Sequence, residues 1–266
     1  MAKIITLELS LPWFTVHALA FLPTLDKNAV IRSEWALCTH GYTSHKGDCL
    51  NWANRLIENG TPTIIFDQPG HYLGSFHEVQ HWEDFRDHSH ELFAEAFRRL
   101  EGLMEIHLGQ GNYPKPKSLI LIGHSLGAFN AIRATELPEF ENLNPIAVAI
   151  GIGIGQRQGN HIFETAFYEK TISLRRQLVS PAIDSALMFP WLKEAKEELS
   201  ISGKRVHMIT GQDDVVVGPG GLEAMVEVLE RNGNIVTWEA PKRLPHHEPG
   251  AATPHLFAFL KDQFGW

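Results

Sequence analysis

Cysteine is scarce: two residues, Cys38 and Cys49, in a chain of 266. They fall in a strand-like and a helix-like stretch, so no disulfide framework is expected, and a reducing, cytoplasmic setting is the default expectation. No stretch approaches the roughly 20 apolar residues that cross a bilayer as a helix. Positive charge is also thin, with 23 Lys and Arg against 31 Asp and Glu and a formal net charge of -8. The basic residues are scattered rather than clustered, which speaks against a surface that tracks nucleic-acid phosphates. A phosphate-binding loop is missing too: Gly151, Gly153 and Gly155 alternate with isoleucine, but a G-x-G-x-x-G continuation fails at Gln158. No nucleotide or other cofactor is therefore expected.

At the amino terminus, Leu9 to Leu22 is fairly apolar and contains Ala18-Leu19-Ala20, a pattern that can imitate a secretory cleavage site. Glu8, Pro12 and His17 interrupt it, and Ile5, Leu7, Leu9 and Leu11 alternate, which predicts a half-buried strand rather than a signal helix.

What is present is an ordinary globular composition, 44% hydrophobic and 20% charged, with no low-complexity block or internal repeat. A chain of this size buries roughly three quarters of its unfolded surface, which favours one domain over residues 1–266. Extended runs are expected at Ile4 to Leu11, Phe14 to Phe21, Trp35 to Thr39, Pro62 to Phe66, Ser118 to Ile122, Ile146 to Ile152, Val206 to Thr210 and Ile235 to Trp238. Helices are expected over Asp48 to Ile57, Trp82 to Ile106, from about Ala128, Leu222 to Arg231 and Pro254 to Gln263. Such alternation implies an α/β protein, a mostly parallel sheet covered on both faces with its site at the carboxyl ends of the strands. The one large break, Gly155 to Ser202, is rich in aromatic and aliphatic residues, among them Phe163, Phe167, Leu187, Met188, Phe189 and Trp191. It is expected to form a small helical cap, residues 156–202, walling an apolar pocket.

The segment Gly123-His124-Ser125-Leu126-Gly127 joins an expected strand to an expected helix. A tight turn there lifts a serine hydroxyl clear of both flanking elements, the geometry of a nucleophile elbow. A serine hydroxyl is a weak nucleophile without a base, so a histidine and an orienting carboxylate are required. The Leu126 N–H, at the helix start, is aimed at a developing oxyanion, and Gly41 in His40-Gly41-Tyr42 lets a second amide, that of Tyr42, turn towards the same oxygen. His124 and His71 read as pocket walls or loop anchors. His77, His81, His88 and His90, interleaved with acids, read as a solvated polar face rather than metal ligands, and no metal site is expected.

On these residues the chain resembles the α/β-hydrolase family along nearly its whole length. The resemblance rests on the His40-Gly41 loop, on Asp67-Gln68-Pro69-Gly70-His71 followed by Ser75, on the GHSLG elbow, and on Gly211-Gln212-Asp213-Asp214 leading to Val217. It implies the α/β-hydrolase fold and a triad running serine, acid, histidine along the chain. The family's pattern favours Asp214 as the acid, with Asp213 a rival and Glu164 a looser one. For the histidine it favours His247, in His247-Glu248-Pro249, with the adjacent His246 as rival. Serine rather than aspartate at the elbow disfavours the family's dehalogenase and epoxide-hydrolase branches. The activity implied is serine hydrolysis of a carboxylic ester or thioester of a small or apolar acyl substrate through an acyl-enzyme. Amide or peptide cleavage, carbon-carbon bond hydrolysis and perhydrolysis on the same triad stay open. So does a ligand receptor or scaffold without turnover.

Overall fold

A computed structural model describes residues 2–24, 30–155 and 165–266, with the side chain of Phe167 left aside. Phe163 and Glu164, named above for the cap and the triad acid, lie outside the described residues. Eight strands form one sheet: β1 (Ala2–Ser10), β2 (Thr15–Pro23), β3 (Glu34–Thr39), β4 (Thr63–Phe66), β5 (Ser118–His124), β6 (Ile146–Ile150), β7 (Arg205–Ile209) and β8 (Ile235–Glu239). Their order is β1-β2-β4-β3-β5-β6-β7-β8. The β1–β2 and β2–β4 pairs are antiparallel, and every pair from β4 to β8 is parallel.

Side-chain alternation divides the sheet into two buried faces. Trp35 and Leu37 of β3, Leu119 and Leu121 of β5, and Ala147 and Ala149 of β6 point one way. They pack with α3 (Leu92–Leu108), α4 (Leu126–Ala134) and α7 (Gly221–Arg231). Ala36 and Cys38, Ile120 and Ile122, and Ile146, Val148 and Ile150 point the other way, onto α1 (Leu50–Glu58) and α8 (Thr253–Phe264). The two cysteines lie in that second face as buried free thiols.

The long helix expected over Trp82 to Ile106 is two helices, α2 (Trp82–His88) and α3, separated by a 3-10 turn at Ser89–Glu91. The break has a tertiary cause. Ser89 is buried and its Oγ donates to Asn130 Oδ1 of α4, while the His88 ring stacks on Trp13 at 3.4 Å between centroids. Helical periodicity on one element cannot report such partners from elsewhere in the chain.

Between β6 and β7 the described residues add no strand. They form α5 (Ala166–Arg175), 3-10 turns at Arg176–Leu178 and Pro181–Ile183, and α6 (Ser185–Glu197). This stretch is tied to the loop after β4: Tyr72 N–H donates to Leu178 O, Ser180 N–H to Gly70 O, and His71 bridges Val179. No described helix is long and apolar enough to cross a membrane.

Candidate active site

Ser125 follows the last residue of β5 and precedes the first of α4, with φ 52° and ψ -113°. A non-glycine residue held at positive φ is strained, and only the surrounding packing keeps it there. Two close approaches supply that packing. A Cβ on Gly123 would stand 2.1 Å from Gly127 O, and a Cβ on Gly127 would stand 2.5 Å from His40 O. The elbow glycines are thus required where β5 meets α4 and where α4 meets the end of β3. Ser125 N–H donates to Ile150 O at 2.8 Å, so that amide extends the sheet and is not aimed at a ligand.

His246 Nε2 lies 3.1 Å from Ser125 Oγ, and His246 Nδ1 lies 2.8 Å from Asp214 Oδ2. Because a carboxylate only accepts, Nδ1 carries the proton and Nε2 presents its lone pair to the serine. Asp214 is 3% exposed, and its other oxygen accepts the Val216 and Val217 amides, both at 2.9 Å. The tight loop after β7 therefore orients the acid by its own backbone.

The sequence favours His247, but the ring that the structure places between Ser125 and Asp214 is that of His246. Leu244, buried in the core, fixes the loop after β8, and its N–H donates to Asp213 Oδ1 at 2.7 Å. His246, two residues on and buried, turns inward. His247 is exposed, its ring perpendicular to that of His246 at 5.4 Å, and it lines the rim. Neighbouring residues of one turn cannot both reach Ser125. Asp213, the rival acid, holds the loop that carries the histidine rather than the histidine itself.

The His40-Gly41-Tyr42 loop passes directly over the elbow: a Cβ on Gly41 would meet Ser125 Cβ at 3.1 Å and His124 Nδ1 at 2.8 Å. His40 is fully buried, with Nδ1 bonded to Gly41 O at 2.8 Å and Nε2 accepting from Gln68 N–H, also at 2.8 Å. One neutral tautomer satisfies both bonds, and burial drives the His40 pKa down to about 3. Gln68 in turn bonds Thr39 and Asn130, and the buried Asp67 accepts the Lys46 amide and ammonium. Tyr42 donates its hydroxyl to Ile183 O in the β6–β7 segment. Leu126 is the first residue of α4, and its N–H is among the helix donors that no intrahelical carbonyl can reach.

The model of the alpha/beta hydrolase family matches residues 36–256. The chain belongs to the alpha/beta hydrolase family. No curated protein matches it by sequence. Solved structures of hydrolases share its fold. A lipase in its open form is 16% identical with a TM-score of 0.62, covering 98% of this chain and 99% of that one. An esterase of Pyrococcus furiosus is 18% identical with a TM-score of 0.62, over 98% and 91%. The 2-hydroxy-6-oxo-6-phenylhexa-2,4-dienoate hydrolase of Rhodococcus sp. strain RHA1 is 15% identical with a TM-score of 0.59, over the whole of both chains.

In this alpha/beta hydrolase, Ser125 and His246 open onto a cavity of about 320 Å³. Its walls come from the Gly41 to His45 loop, from Tyr168, Arg175 and Leu178, and from Phe189 and Leu192 of α6. Met188 instead packs in a buried cluster, Leu187 is exposed, and Trp191 packs against Phe129 and Trp82 rather than the cavity. His124 lines the cavity, its ring 5.0 Å from that of His246. Burial, and then its neighbour His246, hold it well below the usual histidine range, so it stays neutral.

The polar face expected around His77, His81, His88 and His90 is only partly solvated. His88 is stacked on Trp13, and burial lowers His90 to a pKa of about 3. His77 instead meets Glu8 and His17 of the edge hairpin, with one ligating atom of each within 4.8 Å of the others. That surface group takes no part in the Ser125 site.

Proposed function

We propose that the chain is a serine hydrolase acting on carboxylic esters or thioesters, with Ser125 as nucleophile, His246 as base and Asp214 as orienting acid. The observation that carries the reading is the pair of contacts made by one ring, 3.1 Å to Ser125 Oγ and 2.8 Å to Asp214 Oδ2. In this reading Ser125 Oγ attacks the substrate carbonyl while its proton passes to His246 Nε2. The backbone amides of Tyr42 and Leu126 stabilise the oxyanion, and Asp214 stabilises the imidazolium. As the tetrahedral adduct collapses, the carbon–leaving-group bond breaks and His246 returns the proton to the departing oxygen or sulfur. Water, deprotonated by the same ring, then releases the acid and regenerates Ser125.

Residues 156–202 are read as a cap, because their described portion supplies Tyr168, Arg175, Leu178, Phe189 and Leu192 to the cavity. The named activities of the structural neighbours, a lipase and an esterase among them, agree with acyl transfer to water. A fluorophosphonate probe is expected to label Ser125 at one equivalent per chain, located by peptide mass spectrometry, and Ser125→Ala to take up none. Full labelling of the Ser125→Ala protein, or none of the wild type, contradicts the reading.

A further inference from the structure

Arg175 and Arg176 stand side by side at the end of α5 and meet different fates. Arg176 makes two parallel bonds to both carboxylate oxygens of Asp184, at 2.6 and 2.7 Å. Arg175 is half-buried and lines the Ser125 cavity, and among the described residues no carboxylate lies within ion-pair distance of it. A guanidinium is planar, permanently charged and shaped to grip two oxygens at once. Drawing it partly out of water without a partner is unfavourable, and an arriving carboxylate would offset that loss.

The position is fixed rather than incidental. Three residues beyond Arg175, Leu178 O accepts from Tyr72, and Ser180 N–H donates to Gly70 O, so the end of this segment is held to the loop after β4. Arg175 is close enough to influence His247 and Tyr168, which line the same cavity. Burial, His246 and Arg175 together lower the His247 pKa, which leaves the guanidinium as the standing cation of that corner. The cavity's own acid, Asp48, is already engaged by Ser44 Oγ. Among the described lining residues, one free cation facing one occupied acid suits a single negative charge better than a dianion. Leu178, Phe189 and Leu192 supply apolar wall for a short carbon chain.

We infer that the cavity selects acyl substrates that carry a free carboxylate remote from the scissile bond, with Arg175 as the residue that binds it. The inference rests on the Ser125 site being the reaction centre. Its test compares two p-nitrophenyl esters of equal chain length, the hexanoate and the mono-ester of adipate, which differ in a terminal methyl against a terminal carboxylate. The wild type is expected to prefer the adipate mono-ester in kcat/KM by about tenfold or more. Arg175→Gln is expected to lower the adipate-to-hexanoate ratio about 30-fold, mainly through KM, in keeping with a charge-assisted bidentate contact. A wild-type preference for hexanoate, or a ratio unchanged by Arg175→Gln, overturns the inference.

A binding arm separates this outcome from failure of the nucleophile assignment. Monomethyl adipate is expected to raise the Tm of the Ser125→Ala protein and not that of the Ser125→Ala, Arg175→Gln double variant. If the wild type cleaves neither ester, the hydrolase reading fails while that difference in Tm still supports the carboxylate site. Equal shifts in both variants, or none in either, overturn it.

Discussion

At the scale of single residues, the glycines around Ser125 separate packing from chemistry. A Cβ on Gly127 would collide with backbone, namely His40 O at 2.5 Å and Thr39 O at 2.9 Å, so neither partner can swing aside as a flexible side chain could. Gly102 in α3 meets nothing within 4 Å. Gly127→Ala is therefore expected to lower Tm by about 6 °C, the equivalent of about 2 kcal/mol of overpacking. Gly102→Ala is expected to leave Tm unchanged or raise it, because alanine is the better helix former. Differential scanning calorimetry of the two variants checks the contrast, and equal Tm values would refute the packing argument. The choice between His246 and His247 belongs to this scale too. The structure places His246 beside Ser125, whereas pattern resemblance favoured His247, because the two imidazoles are chemically identical and their spacings from Asp214, 32 and 33 positions, hardly differ. What distinguishes them is the Leu244–Asp213 bond and the burial of Leu244, which no local motif encodes.

At the scale of elements, all eight strands were legible, because a β period with glycine and proline punctuation survives in the sequence whatever packs on it. Their boundaries shifted by a residue or two, as at β5, which runs on to His124 at the elbow. Helices were less legible where tertiary contacts decide. The break at Ser89 depends on Asn130 and Trp13, and the first helix opens with a 3-10 turn at Lys46–Cys49 before α1 begins. Of the residues expected to wall the pocket, Phe189 does so, while Met188 and Trp191 pack elsewhere, because amphipathic composition says how much is buried and not against what. Arg175 escaped notice for a similar reason. Beside Arg176 it looks like one more surface charge, and only the pairing of Arg176 with Asp184 shows which of the two is left over.

At the scale of the whole molecule, the loops that carry the site rest on neutral histidines in the interior. His40 and His71 are fully buried, and burial lowers both pKa values to about 3, against an ordinary value of 6.5. Below about pH 6.5 the unfolded chain takes up protons that the folded chain refuses, so stability falls as the pH drops towards about 3. Each such histidine adds a slope of up to about 1.4 kcal/mol per pH unit in that window. Urea unfolding of the wild type between pH 7 and pH 4.5 is expected to show this loss. His71→Gln should follow a shallower curve, and parallel curves would remove His71 as a cause.

The proposed triad is also a property of the whole fold, since Ser125, Asp214 and His246 come from the end of β5, the loop after β7 and the loop after β8 and meet only when the sheet is assembled. The most direct measurement is the hydrolysis rate of a p-nitrophenyl ester by His246→Ala beside His247→Ala, with Ser125→Ala as the reference. His246→Ala is expected to fall to the Ser125→Ala level, a loss on the order of 10⁴-fold or more, because members of a triad act as a unit. His247→Ala, altered only at the rim, is expected to lose less than about tenfold. The reverse order, with His247→Ala silenced and His246→Ala active, would contradict the account.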